Sequence, residues 1–505
     1  MTRTFSSYAH ENGGRVLLLF LLFFLALYQF YSSGFSSFTL ICLSPVIVIA
    51  TYIVFNNKML AFWALFAINY LIQFLGMQRL MPSGIPTSLY NELLQILLLA
   101  VAIIDSRQSY HFERITNIML FALLIWATYC TLQIFNNTCN LGIDIGSWYT
   151  GARMMSFQLL YTFLVFSIYI SSPELLSKYL KVWAFFSLFS VYWTWQQQYL
   201  GFTHSEKIWL DSGGIRTHFV NGIIRYWSTF SDAANYGCNA AATSLAFFIV
   251  GITTSVKRDK IFFLFTAVTV IWGMFASGTR TAIFCFIAGF MAYMILSKSI
   301  KIIIPSAIVF SIFMFILIFT TIGQGNAQIR RMRSAFNKND ASANVRDINQ
   351  ATMRKYLKDA PWGIGLGGKS VPANNKYNRM STIAPDSEYV YIWIHTGRIG
   401  LTIFIITMLI MLGGACWIVM FRIKNKSLIG IGAGFCCAFI SIQIGGYANQ
   451  VLMQFPNCLL FYGGLSIVYI LPYIEPEWNE YEKTLVAKQE EKKRLKLEKE
   501  LASRV

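Results

Sequence analysis

Apolar runs of roughly bilayer length recur along this chain, and they decide its fold class. Residues 16–28 and 302–320 hold no charged side chain and show no alternation of apolar with polar positions. A hydrocarbon core about 30 Å thick is crossed by about 20 apolar residues in a helix. Backbone polar groups in lipid must be satisfied within the segment or in a closed barrel. A barrel would need ten-residue stretches of alternating hydropathy, so the expected class is an all-α polytopic transmembrane helix bundle. Composition agrees: of 505 residues 56% are hydrophobic and 13% charged, where a soluble domain carries about a quarter charged.

About 14 spans are expected on length and hydropathy, near 15–32, 37–55, 58–76, 88–104, 114–134, 152–170, 179–199, 236–254, 260–276, 281–297, 302–321, 398–421, 428–447 and 457–473. Lys and Arg in short loops set orientation. With a cytoplasmic N-terminus, the inside loops hold Lys58; Arg107 and Arg114; Lys178 and Lys181; Lys257, Arg258 and Lys260; Lys298 and Lys301; and Arg422, Lys424 and Lys426. The charged tail 475–505 is also inside, and its Glu/Lys pattern predicts a solvated helix. The net charge of +18 is accounted for by these loops and one basic outer loop, so nucleic acid is not expected as a partner. The cysteines are scattered, without CxxC or zinc spacing, and no metal or cofactor is expected.

The organisation expected is N-terminal transmembrane helices over 1–200, a core over 201–401, C-terminal transmembrane helices over 402–474, and the tail. Three core segments reach the outer face: 201–235, the turn 277–281, and 323–388. The last carries eleven basic and five acidic residues; long loops cross largely regardless of charge. Because the spans hold little polar equipment, the chemistry is expected in these loops. Residues 344–359 predict a helix capped by Ser342 or Asn344 and stopped by Pro361. It would pack through Val345, Ile348, Thr352 and Tyr356, with Arg346 and Arg354 on another flank.

Gly363-Ile364-Gly365-Leu366-Gly367-Gly368-Lys369-Ser370 fits the nucleotide P-loop pattern in letters only. That motif needs a preceding strand and a following helix; here Pro361 precedes and Pro372 follows. Arg280, between two spans, is an interfacial anchor or a group that binds an anionic substrate, since guanidinium groups donate paired hydrogen bonds to phosphate; Arg216 and Arg225 lie in the 201–235 segment. Trp227 and Asp232, in Arg225-Tyr226-Trp227-Ser228-Thr229-Phe230-Ser231-Asp232, suit a sugar or equally a membrane-interface belt. Asp386 and Glu388 are counter-ions for the arginines or acceptors of a hydroxyl proton. Tyr389 and His395 follow them.

Four elements in this order resemble the O-antigen ligase and O-antigen polymerase superfamily, the Wzy/WaaL type. They are residues 225–237; Ser277-Gly278-Thr279-Arg280-Thr281-Ala282; Asn344-Val345-Arg346 with Asp359-Ala360-Pro361-Trp362-Gly363-Ile364-Gly365; and Asp386-Ser387-Glu388-Tyr389 leading to Thr396-Gly397-Arg398-Ile399-Gly400-Leu401. The resemblance covers 225–401. It implies a metal-independent, inverting glycosyl transfer at the periplasmic face of a bacterial inner membrane. The donor would be an undecaprenyl-pyrophosphate-linked oligosaccharide; membrane lipid, a chain-length regulator and a flippase are the other implied partners. Arg280 and Arg346 would hold the pyrophosphate, helped by Arg225 and Arg354. Arg216, Trp227, Asp232, Glu388, Tyr389 and His395 would line the substrate. Ligases of this family carry His-Asn where this chain has Asp386-Ser387, which makes Asp386 the candidate base and favours a polymerase. The alternatives are a ligase acting on lipid A–core, an O-oligosaccharyltransferase acting on protein, and, from another class, a transporter or flippase of lipid-linked glycan.

Overall fold

A computed structural model describes residues 51–80, 87–105, 110–220, 222–297, 300–333, 341–366, 371–382 and 385–502, with single positions between 14 and 49. The expected spans 15–32 and 37–55 lie largely outside the described residues. So do Gly367-Gly368-Lys369-Ser370 of the glycine run and the side chain of Arg346.

The described residues are mostly helical. The principal helices are α1 (Lys58–Met77), α2 (Thr87–Ile104), α3 (Ile118–Leu132), α4 (Ile145–Tyr169), α5 (Pro173–Tyr199), α6 (Ala233–Thr253), α7 (Lys257–Ala276), α8 (Arg280–Leu296) and α9 (Ile300–Phe319). Two loop helices follow, α10 (Ala327–Arg333) and α11 (Ala341–Leu357), then α12 (Glu388–Trp417), α13 (Lys426–Ala448) and α14 (Asn457–Ala502). The described strands are a two-residue pair, Phe219–Val220 and Ile223–Ile224, antiparallel with Phe219 opposite Ile224. Among the described residues eight helices are long and apolar enough to cross a membrane, and three shorter apolar helices lie at Ser88–Ile104, Arg280–Leu296 and Ile303–Ile316. The expected span 179–199 falls in α5, whose lysines and glutamines keep it out of both groups.

Local chemistry sets the helix starts. Asn117 accepts the N–H groups of Met119 and Leu120 ahead of α3, and Asn425 accepts that of Leu428 in α13. Ser172 accepts that of Leu175, with Pro173 as first residue of α5. Such caps satisfy N–H groups that no helical carbonyl reaches.

Packing divides the chain into two units, 1–63 with 97–108, and 64–96 with 109–505. In the first, Lys58 pairs with the buried carboxylate of Asp105. In the second, α6 lies against α7, α8 and α13, α13 against α14, and α12 against α3. The apolar window of α6 is 89% buried and that of α12 33%, so α6 is interior and α12 lies at the periphery with most of that window exposed. Gly430, Gly434 and Gly445 of α13 lie against Thr253, Ala246 and Cys238 of α6. Small side chains let backbones approach closely, which is how membrane helices gain dispersion energy.

Three sequence expectations are corrected. First, the spans do carry polar equipment. Glu92 of α2 is buried against Arg153 of α4 (3.2 Å), with Tyr149 donating to Glu92 (2.7 Å) and Arg153 to Ser88 (2.8 Å). Sixty-one positions separate the partners, so only the fold pairs them. Second, α11 starts at Ala341, which puts Ser342 and Asn344 inside it. Its packed face is Met353, Leu357 and Tyr356, and Ile348 is exposed. Third, α14 continues through Pro472 and Pro476 to Ala502. Only the start of its charged part is docked, Glu475 accepting from the N–H groups of Lys424 and Asn425 and Glu482 from Asn425 and Ser427; beyond it most described positions are exposed, as expected of a solvated helix.

Candidate active site

The ends of α7 and α13 and the starts of α6, α8, α12 and α14 gather at one end of the bundle. At its centre is the turn Ser277-Gly278-Thr279 between α7 and α8. Gly278 has φ +58°, a conformation costly for other residues. Its carbonyl accepts from Arg331 Nε of α10 (3.2 Å). Arg225 donates to Thr279 Oγ1 (3.1 Å) and to the carbonyl of Thr217 (3.0 Å). Thr279 Oγ1 in turn donates to the carbonyl of Ala233 at the start of α6 (2.6 Å). Arg280 is the first residue of α8. Three guanidinium groups, Arg225, Arg280 and Arg331, thus converge on one turn. Burial, then the charges of Arg225 and Arg280, pull Arg331 down to about 10. Like charges this close lower each other's proton affinity.

A second segment closes on this turn. Asn449 donates to Thr281 Oγ1 (3.1 Å), and the next residue, Gln450, donates to the carbonyl of Pro385 (2.9 Å). Ser387 Oγ donates to the carbonyl of Gly446 (3.1 Å). Asp386 is exposed between these two anchored neighbours. The loop joining α13 to α14 therefore holds the Asp386 segment beside the arginine turn. It is itself braced by buried amides: Asn239 donates to Asn457 (2.7 Å), and Asn457 to Asn235 (2.5 Å) and to the carbonyl of Val451 (2.9 Å). Buried amides so satisfied specify one arrangement.

The glycine run is fixed by a break in α12. At Gly397 φ is +69° and ψ −175°, which interrupts the helical bonding. The carbonyls of Ile394 and His395 accept instead from Ile364 N–H (2.9 Å) and Gly365 N–H (3.0 Å), and that of Thr396 from Tyr129 OH (2.7 Å). The N–H of Ile399 donates to the carbonyl of Pro361 (3.3 Å). A Cβ on Gly397 would lie 2.0 Å from that carbonyl oxygen.

The other expected site residues take different places. Trp227 is fully buried, stacked on Phe202 (centroids 5.0 Å apart, 6° between planes) and beside Trp209. Its faces are occupied, so it supports the loop and offers no surface to a glycan. Asp232 caps α6, accepting from Ala234 and Asn235 N–H (2.8 and 2.9 Å). Glu388 is buried and accepts from Leu452 N–H (3.1 Å); Tyr389 donates to Gln443 Oε1 (2.8 Å). His395 is buried with Nδ1 3.0 Å from the carbonyl of Gly365. These three build the scaffold. Arg216 and Arg354 are exposed, and no bond joins either to the turn among the described residues.

Sequence reasoning passed over Arg331, which looked like one of several loop cations, and His218. The His218 imidazole is buried between Trp209 and Trp227. Its Nε2 accepts from Ala233 N–H (3.1 Å) while Nδ1 lies 3.1 Å from the carbonyl of Gly214, which puts the proton on Nδ1. Burial first, then Arg225, hold it neutral, down to about 4, against the opposing pull of Asp232. Among the described residues no three His, Cys, Asp or Glu side chains gather as a metal site requires.

The fold defines a polytopic helical membrane protein, with a cluster of guanidinium groups at one end of its bundle. Residues 265–405 match the model of the O-antigen ligase family, which supports placing the chain in the O-antigen ligase and polymerase superfamily. The match runs from within α7 into α12 and includes Arg280, Arg331, Arg346 and Asp386; Arg225 and the α13–α14 loop lie outside it. The family suggests a glycosyltransferase-type enzyme. No curated protein matches the chain.

Proposed function

We propose that this protein polymerises polyprenyl-pyrophosphate-linked oligosaccharide repeats of a surface polysaccharide, at the outer face of a bacterial inner membrane. The observation that carries this reading is the convergence of Arg225, Arg280 and Arg331 on the Gly278 turn. Arginine suits a pyrophosphate because its fork donates two hydrogen bonds and stays charged. Arg346 and Arg354, both within α11, are proposed to reach the same headgroup from the loop.

In the proposed reaction the acceptor sugar hydroxyl attacks C1 of the donor from the side opposite the pyrophosphate. The new C–O bond forms as the C1–O bond to phosphate breaks, with inversion. The electron pair leaves on polyprenyl pyrophosphate, and the hydroxyl proton goes to the Asp386 carboxylate. Preorganised guanidinium groups stabilise charge growing on the leaving group more than charge already there, which lowers the barrier. Asp386, between two anchored neighbours beside the turn, is placed to orient or deprotonate the acceptor.

The second reading is a ligase, favoured by the family's own description. Purified protein reconstituted with its host's lipid-pyrophosphate oligosaccharide and no second acceptor separates the two. A ladder of longer lipid-linked chains is expected. Transfer only after addition of lipid A–core or an acceptor protein would make it a ligase or O-oligosaccharyltransferase. No transfer to any acceptor would remove the transferase reading in favour of a transporter.

A further inference from the structure

At the opposite end of the bundle, three helices meet at a basic cavity that the transferase reading does not use. It encloses about 490 Å³ and is lined by Lys181 of α5, Arg258 and Asp259 of α7, and Lys488 of α14, with Phe262 and Leu485 as apolar wall. Lys181 pairs with Asp259 (3.1 Å). Among the described residues no carboxylate pairs with Arg258 or Lys488, so the cavity holds three cations against one carboxylate.

Its depth says what it faces. The apolar run of α7 begins after Lys257-Arg258-Asp259-Lys260, that of α14 ends before Glu475, and Lys178 and Lys181 sit in the first turns of α5. On α7 the change from charged to apolar falls within the cavity's own lining, Arg258 and Asp259 giving way to Phe262, which is the level at which a bilayer's headgroups lie; α14 reaches the cavity with its charged extension, through Leu485 and Lys488. Lys488 is held there by the docked tail: the N–H of Lys257 donates to Gln489 Oε1 (3.2 Å), and Glu482 is bonded to Asn425 and Ser427.

We propose that this cavity binds the headgroup of an anionic phospholipid, its phosphate between Arg258 and Lys488 and its glycerol against Phe262 and Leu485. The volume fits a small-ligand site, and basic pockets between membrane helices recognise such headgroups. The bound lipid would link the C-terminal helix to α5 and α7.

The test is thermal unfolding of the purified full chain in detergent, with dioleoyl phosphatidylglycerol, dioleoyl phosphatidylcholine or 10 mM inorganic phosphate added. Phosphatidylglycerol should raise the midpoint by about 5 °C more than phosphatidylcholine, and inorganic phosphate should not reproduce that rise. The R258Q/K488Q variant should lose the difference, while K493Q/R494Q, which removes two tail charges outside the cavity, should keep it. Should the double variant not be recovered folded, R258Q and K488Q singly should each reduce the difference. Equal shifts with both lipids, a difference surviving R258Q/K488Q, or a full rise from phosphate alone would overturn the proposal. None of these readouts depends on glycan transfer.

Discussion

Arg331 and His218 show how neighbours decide what a side chain does. Arg331 lies in Arg330-Arg331-Met332-Arg333, a run that reads as loop charge. Its bond to the Gly278 carbonyl and its place beside Arg225 and Arg280 set it apart. R331Q should lower glycan-product formation by about 10²–10³-fold, the scale seen when one preorganised donor is lost. R330Q should lower it far less. Assaying both at matched membrane levels checks this, and equal activity of R331Q and the unaltered protein would remove Arg331 from the site. His218 predicts a pH dependence of stability. Its folded value is about 4 and its ordinary one 6.5, so between those values the unfolded chain takes up the proton and the folded chain does not. Its stabilising contribution is complete above about pH 6.5 and is lost as pH falls towards 4, by up to about 3 kcal/mol. Unfolding midpoints between pH 7.5 and 4.5 should fall less steeply in H218Q.

The break in α12 joins a helix to a loop by backbone alone. Gly397 ends the helical bonding, and the carbonyls of Ile394 and His395 are taken over by the glycine run. G397A should destabilise by at least about 1–3 kcal/mol, since alanine must adopt positive φ and its Cβ meets the Pro361 carbonyl. Thermal unfolding in detergent measures it. A neutral result would mean that the loop is held by the packing of Met353, Leu357 and Ile364 alone. That Thr396-Gly397-Arg398 mattered was legible in the sequence, as was the turn at Gly278. What each does was not, because a helix break is recognised only by which N–H groups replace the lost ones. Trp227, read as a sugar platform or interface residue, is core for the same reason: Phe202 and Trp209 were not known to cover it.

Across the bundle, the buried Glu92–Arg153 pair ties α2 to α4, with Trp126 of α3 donating to the Met155 carbonyl (2.9 Å) in the wide turn over Arg153–Phe157 of α4. Removing one partner leaves an uncompensated buried charge, so E92A should cost about 3–5 kcal/mol. E92L/R153M should cost clearly less, because paired apolar replacements remove both charges. Detergent unfolding of the single and double variants measures this coupling, and additive losses would show that the pair does not interact. The sequence by itself determined the class of protein and most span positions, because apolar runs of bilayer length admit few backbone solutions. It also pointed to the segments gathered at the arginine turn through their arginines and glycines. Only the tertiary structure decided which arginines converge, that the α13–α14 loop joins the Asp386 segment to the turn, and which charges the spans bury. Those are contacts between residues tens to hundreds of positions apart, and local periodicity carries no information about such pairings.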